Sequence, residues 1–308
     1  MVQGALISNA FLRTGKFLEH YDWLRKAAQR RGIALSLLDN TVLCSKMETD
    51  GSGVGWEWLE PLSFIIFWEK DIPGGRYLED VCREKNIPVY NGIDAIACCD
   101  HKFFTYEKIW RWNRRQEMDK RIPLIPSIMA PMTYDNIGYT DLDFLDRIIS
   151  ELGLPMIVKE CFGSFGMQVY RADTGRDVER LTQNLAGRPF LYQKYIEDSA
   201  GSDVRIQVVG GSVVAAMHRF SESGDFRANL TAGGSMEVYH PSERECDIAL
   251  QACEILGLDF GGVDLLFDEN GRAEILCEVN SNAHFKNIYT CTGVNVADCI
   301  MKYISASI

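Results

Sequence analysis

The chain of 308 residues contains no CxxC motif, and its only close pair of cysteines is Cys98–Cys99. Its five histidines (His20, His101, His218, His240, His284) stand at no zinc-ligand spacing from the cysteines, which argues against a structural zinc site. Several of the ten cysteines, such as Cys253, Cys277 and Cys299, lie in apolar runs. There a thiol behaves as a small hydrophobe, and reduced thiols point to a cytoplasmic protein. A basic surplus is missing too: 32 lysines and arginines face 43 acids, for a net charge of -11, which argues against nucleic acid as a partner. No stretch approaches the ~20 apolar residues of a membrane span, and MVQGALISNAF lacks the charged start of a signal peptide. GxGxxG and GxxxxGK[ST] are absent, as is any Ser-His-Asp or Cys-His signature. Gly51, Gly53 and Gly55 do not lead from a strand into a helix, so GSGVG reads as a plain loop.

What is present is enough apolar residue, 46%, to bury two or three compact units. Strands at 2–8, 33–38, 64–68 and 88–90 alternate with amphipathic helices after residue 16 and over 76–85, which implies a small parallel-sheet α/β domain. A helix at 101–113 leads to strands at 127–129, 155–160, 168–170 and 190–195, with helices at 141–152 and 177–185. Two strands joined at Gly210-Gly211-Ser212, a helix at 243–256, an apolar hairpin and a helix at 296–304 complete the chain. The class is α/β (α+β).

The hairpin, FGGVDLLF and AEILCEVN around Asp268-Glu269-Asn270-Gly271, holds three oxygen-bearing side chains among apolar neighbours: Asp264, Glu278 and Asn280. Glu278 and Asn280 are two apart and share a strand face. A three-residue turn with Gly271 left-handed pairs Asp268 with Arg272 and Asp264 with Leu276, leaving Asp264 diagonal to Glu278. Such a set suits Mg²⁺ shared with phosphate; an edge hairpin with its acids in water fits the same pattern.

Lys159 ends a strand before Gly163-Ser164-Phe165-Gly166, where glycines let backbone N–H groups approach a phosphate, although a glycine-rich hairpin turn has the same composition. Asp203 and Arg205 share a strand face. A three-residue turn at 210–212 sets Asp203 opposite Arg219, making either an anion clamp or a plain cross-strand ion pair, whereas a two-residue turn puts Arg219 on the other face. Arg227 and Asn229 precede Ala232-Gly233-Gly234-Ser235 and suit a substrate loop.

In order, Lys102 after Asp100-His101, Lys159 with GSFGMQV, QKYI at 193–196, Asp203-x-Arg205, HRF, FRANLTAGGS, GVDLLF and EVNSN resemble the ATP-grasp superfamily, specifically its RimK-type amino-acid (glutamate) ligases. The resemblance covers residues from about 100 to the end. It implies an ATP-grasp fold with an N-terminal Rossmann-like pre-ATP-grasp domain at 1–100, a lid subdomain at 101–188 and a catalytic subdomain at 189–308. It implies ATP and two ions of Mg²⁺ or Mn²⁺. Lys102 and Lys159 match phosphate-contacting lysines, and Gly163, Ser164, Phe165 and Gly166 the loop over ATP. Gln193, Lys194, Tyr195 and Ile196 match the adenine hinge, and Asp203 the acid at the ribose. Arg205, Arg219, Arg227 and Asn229 match groups around the γ-phosphate and acceptor carboxylate; Asp264, Glu278 and Asn280 match the metal ligands. The reaction implied joins an amino acid such as glutamate to a small-molecule or peptide carboxylate through an acylphosphate, with oligomeric state open. A peptide-modifying ligase and a non-catalytic nucleotide-binding regulator are the alternatives. Three departures stand out: Gln168 at a third loop glycine, Lys194 in the hinge, and Ala283-His284-Phe285 where relatives often carry Pro-Gly.

Overall fold

A computed structural model describes residues 2–12, 14–47, 49, 53–163, 166–222, 224–228 and 234–308. The N-terminal parallel sheet has the order β2-β1-β5-β6, built from β1 (Gln3–Ser8), β2 (Ala34–Asp39), β5 (Phe64–Phe67) and β6 (Val89–Tyr90). Helices α1 (Gly15–Gln29), α2 (Ile72–Glu84) and α3 (Ile93–Asp100) flank it. All four residues of β5 are buried, as expected of a parallel strand covered on both faces. The glycine segment near residue 53 is not wholly loop: β4 (Gly53–Val54) pairs with β3 (Lys46–Met47), while Gly51 and Ser52 lie outside the described residues.

After α4 (Lys102–Asn113), a second sheet takes the order β7-β10-β8-β9, from β7 (Ser127–Met129), β8 (Met156–Glu160), β9 (Val169–Ala172) and β10 (Phe190–Lys194). Helices α5 (Phe144–Leu152) and α6 (Gly175–Asn184) cover one face, the latter opened by a reciprocal Thr174–Asp177 cap. β10, grouped by sequence with the C-terminal unit, thus hydrogen-bonds within this sheet.

The third sheet, β13-β12-β11-β14-β15, comprises β11 (Ser202–Val209), β12 (Ser212–Phe220), β13 (Ser235–Val238), β14 (Phe260–Leu266) and β15 (Ile275–Asn280). α7 (Glu243–Leu256) packs on one face through Ile248, Ala252 and Leu256. It begins at a Ser242–Glu245 capping box and ends at Gly257 in the left-handed conformation. α8 (Lys286–Thr292) and α9 (Val296–Ser307) pack on the other face beside α1, so one core joins the third sheet to the first. Asn91 seals that junction. Its amide donates to the Phe260 and Ser281 carbonyls (2.9 and 3.1 Å) and accepts from the Asp259 and Phe260 N–H groups. Among the described residues no helix is long and apolar enough to cross a membrane.

Two registers differ from expectation. The β11–β12 connection is a two-residue turn, Gly210-Gly211, with φ of 55° and 69° and Val209 opposite Ser212. Mirror-image turns of this kind suit the strand twist and favour glycine at both positions. A bulge follows, with Gln207 opposite Ala215 and Val208 opposite Val213, and the inserted residue returns Arg219 to the face opposite Asp203. In β14–β15, Asp268 does accept close to Arg272, but a second bulge inserts Cys277, so Asp264 faces Glu278 directly rather than Leu276.

Candidate active site

The three sheets enclose a cleft of about 610 Å³. Lys159 projects from β8, and its Nζ lies 3.8 Å from the Cys277 sulfur on β15. Burial pushes the Cys277 thiol up to about 11, against the pull of Lys159, so this sulfur stays protonated beside the ammonium at neutral pH. Lys102 reaches the cleft because both ends of its environment are tethered: its N–H donates to the Cys161 carbonyl (3.0 Å), and Tyr106, one turn on, donates to the Leu276 carbonyl (2.6 Å). Its ammonium donates to the Gly163 carbonyl (3.0 Å) and pairs with Glu278 (3.4 Å).

Gly163 has φ of 148°, and a Cβ there would come within 2.5 Å of the Gln168 side chain. The turn after β8 therefore depends on glycine for both backbone angle and room. Ser164 and Phe165 lie outside the described residues. Arg227 donates to the Gly166 carbonyl (3.1 Å) while Asp225 accepts from two of its nitrogens (3.0 and 2.9 Å). The loop after β12 thus touches the glycine turn. Asn229 also lies outside the described residues.

On the five-stranded sheet, Arg205 forks onto both Asp264 oxygens (2.6 Å each), and Arg219 forks onto both Asp203 oxygens (2.6 and 2.7 Å). Arg219 also reaches Asp264 at 3.1 Å. These side chains are only 6–15% exposed, so two cations and two anions balance in a nearly dry spot. Burial pushes the Asp264 carboxyl up, but Arg205 and Arg219 outweigh it and hold the group below the usual range. For Asp203 burial prevails over the pull of Arg219, with the Asp264 charge adding to it, and the carboxyl is raised.

Asp264, Glu278 and Asn280 share one face, with the Asn280 amide nitrogen 3.5 Å from Asp264. Among the described residues no three His, Cys, Asp or Glu side chains converge as a metal cage. The donors are two carboxylates and one amide oxygen, which fits a hard cation completed by oxygens of a ligand. Gln193 is buried and donates to the Ser127 hydroxyl (2.9 Å). Lys194 donates its backbone N–H to the Pro126 carbonyl, and Tyr195 and Ile196 then leave the strand and line the cleft. Of the residues that the resemblance assigns to nucleotide, metal or substrate, every described one lines this cleft.

Residues 127–304 match the RimK-like ATP-grasp domain. The chain belongs to the RimK-like ATP-grasp family. A probable α-L-glutamate ligase of Methanococcoides burtonii is 38% identical over 167 residues, 54% of this chain and 55% of its own length. The chain therefore spans about half the length of the curated relatives it matches first. A RimK-domain ATP-grasp protein from Sphaerobacter thermophilus superposes with a TM-score of 0.68 at 18% identity, covering 98% and 99% of the two chains. The ATP-grasp ligase PsnB, complexed with a minimal precursor, gives 0.69 at 15% identity, covering 100% and 99%. These solved structures share the ATP-grasp fold.

Sequence reasoning missed the far end of the cleft: Leu12, Phe17, Tyr21, Trp68, Glu69 and Asn282. A signal was available, because Trp68 and Glu69 directly follow β5, and ligand sites in parallel sheets gather beyond the carboxyl ends of strands. Ala283 and His284 line the cleft as well, while Phe285 is buried edge-on to Trp68.

Proposed function

We propose that this chain is an ATP-dependent carboxylate–amine ligase, joining an amino acid such as glutamate to a small-molecule or peptide carboxylate. The observation that carries the reading is the convergence, in one cleft, of Lys102 and Lys159 from separate elements with the Arg205–Asp264–Arg219–Asp203 cluster and Glu278. Lys159 and Lys102 bind phosphate oxygens, Tyr195 and Ile196 flank the base, and Gly163 and Gly166, the latter in contact with Arg227, border the phosphate site. Asp264, Glu278 and Asn280 would hold two ions of Mg²⁺ or Mn²⁺, which would offset phosphate charge. The substrate carboxylate takes the γ-phosphoryl group and ADP leaves. The amine nitrogen then attacks the acyl carbon, phosphate leaves and one proton is lost. Arg205 and Arg219, already fixed by their carboxylates, orient the acceptor and offset charge on the tetrahedral oxyanion without reorganising. No protein nucleophile takes part.

The test follows ADP, AMP and phosphate separately with Mg-ATP and pools of amino acids and carboxylates. ADP with phosphate, dependent on one substrate pair and lost in Glu278→Gln while the melting temperature holds, is the expected result. AMP release overturns the acylphosphate route, and unchanged activity in Glu278→Gln removes that residue from the site.

A further inference from the structure

Apart from the ion-paired cluster of Lys102, Arg205 and Arg219 with Glu278, Asp264 and Asp203, the cleft is lined on the side of the N-terminal sheet by a carboxylate and aromatic rings: Glu69, Trp68, Tyr21 and Phe17. There Glu69 accepts from the Asn9 amide (3.1 Å), and Asn9 in turn accepts from the Phe11 N–H (2.8 Å), so Asn9 serves to orient the carboxylate. Asn282 donates to the Glu69 carbonyl (3.4 Å), while its own Oδ1, buried, has no hydrogen-bond partner. Among the described residues no cation pairs with Glu69, and the neighbouring Lys70 is matched by Asp100. A carboxylate and a lone carbonyl oxygen suit a ligand group that brings donors.

The surroundings are apolar. Trp68 stacks on Phe260 at 5.7 Å, Tyr21 is 3% exposed, and Phe17 meets His284 edge-on at 5.0 Å. Aromatic faces attract an ammonium group and pack a hydrocarbon body, and they offer nothing to a second carboxylate.

We infer that this corner binds the amine substrate as a primary ammonium attached to an apolar or aromatic body, with Glu69 pairing the ammonium. The inference rests on the ligase reading and narrows it: among the described residues no unpaired cation stands beside Glu69 to offset an acidic side chain such as that of glutamate, which is unfavourable.

The experiment measures binding of phenethylamine, L-phenylalanine, N-acetyl-L-phenylalanine and L-glutamate by calorimetry to the full chain saturated with Mg-AMPPNP. Phenethylamine binds, and L-phenylalanine, whose α-carboxylate meets the same acceptors, binds less tightly; the N-acetyl compound, which lacks the ammonium, and L-glutamate bind at least about tenfold more weakly than L-phenylalanine. Glu69→Gln lowers phenethylamine affinity about tenfold or more and leaves nucleotide affinity unchanged. Equal binding of the N-acetyl compound, a preference for L-glutamate, or indifference to Glu69→Gln overturns the inference while the ligase reading stands. Failure to bind Mg-AMPPNP at all overturns the ligase reading instead, and both fall.

Discussion

Arg219→Met isolates what the buried charge cluster contributes. Removing this guanidinium leaves Arg205 to serve Asp264, and takes from Asp203 the only side chain that donates to it among the described residues. The cluster passes from two cations and two anions to a net negative charge at a site whose side chains are 6–15% exposed. Removing one partner of a buried pair costs about 3–5 kcal/mol, because the other charge is left without compensation. With about 2.1 cal/mol/K of unfolding entropy per residue, 308 residues give about 0.65 kcal/mol/K, so the melting temperature falls by about 5–8 °C. The sign of the pH dependence follows from Asp203. Its folded carboxyl is already raised by burial, and without Arg219 it rises further. A raised acid costs stability above its folded pKa and nothing below its unfolded value near 3.9, so the deficit shrinks as pH falls from 7 toward 4. Asp264 keeps Arg205 but loses Arg219, so part of its stabilisation, present at neutral pH and lost at low pH, disappears as well and adds to the deficit in the same direction. Differential scanning calorimetry of Arg219→Met, Asp203→Asn and the double variant closes the cycle. The double variant should regain most of the loss, because it carries no unpaired charge. A drop under 1 °C in the single variant, with no rescue in the double, refutes the description of these groups as a desolvated, mutually dependent set.

Lys159→Met removes an ammonium that lies beside the protonated Cys277 thiol. Nucleotide affinity should fall about 10- to 100-fold by titration with a fluorescent ADP, with the melting temperature of the unliganded protein nearly unchanged. Asp268 ties the β14–β15 turn through the N–H groups of Asn270 and Arg272 and the Arg272 guanidinium. These overcome the upward push of burial and hold its carboxyl down at about 2. Its stabilisation is present above an unfolded pKa near 3.9 and is lost as pH falls toward 2. Asp268→Asn should therefore lower the melting temperature at pH 7 and match the parent near pH 2, as a pH series of thermal melts will read.

Periodicity and turn chemistry determined much by themselves. The Val- and Ile-rich strands, the helices with their caps at Thr174 and Ser242, and the shared face of Glu278 and Asn280 all follow from local rules. Tertiary structure decided the two registers on which the site depends. Gly210-Gly211 closed as a two-residue turn, which alone sends Arg219 to the wrong face, and the bulge after Val213 restored it. The bulge at Cys277 moved Asp264 opposite Glu278. A bulge is fixed by packing across neighbouring strands, and no short run of sequence encodes it. The Glu69 corner was invisible for a related reason: Asn9, Glu69 and Asn282 lie 60 and 213 residues apart in sequence contact and meet only because Asn91 and the core around Phe285 clamp the first sheet onto the third.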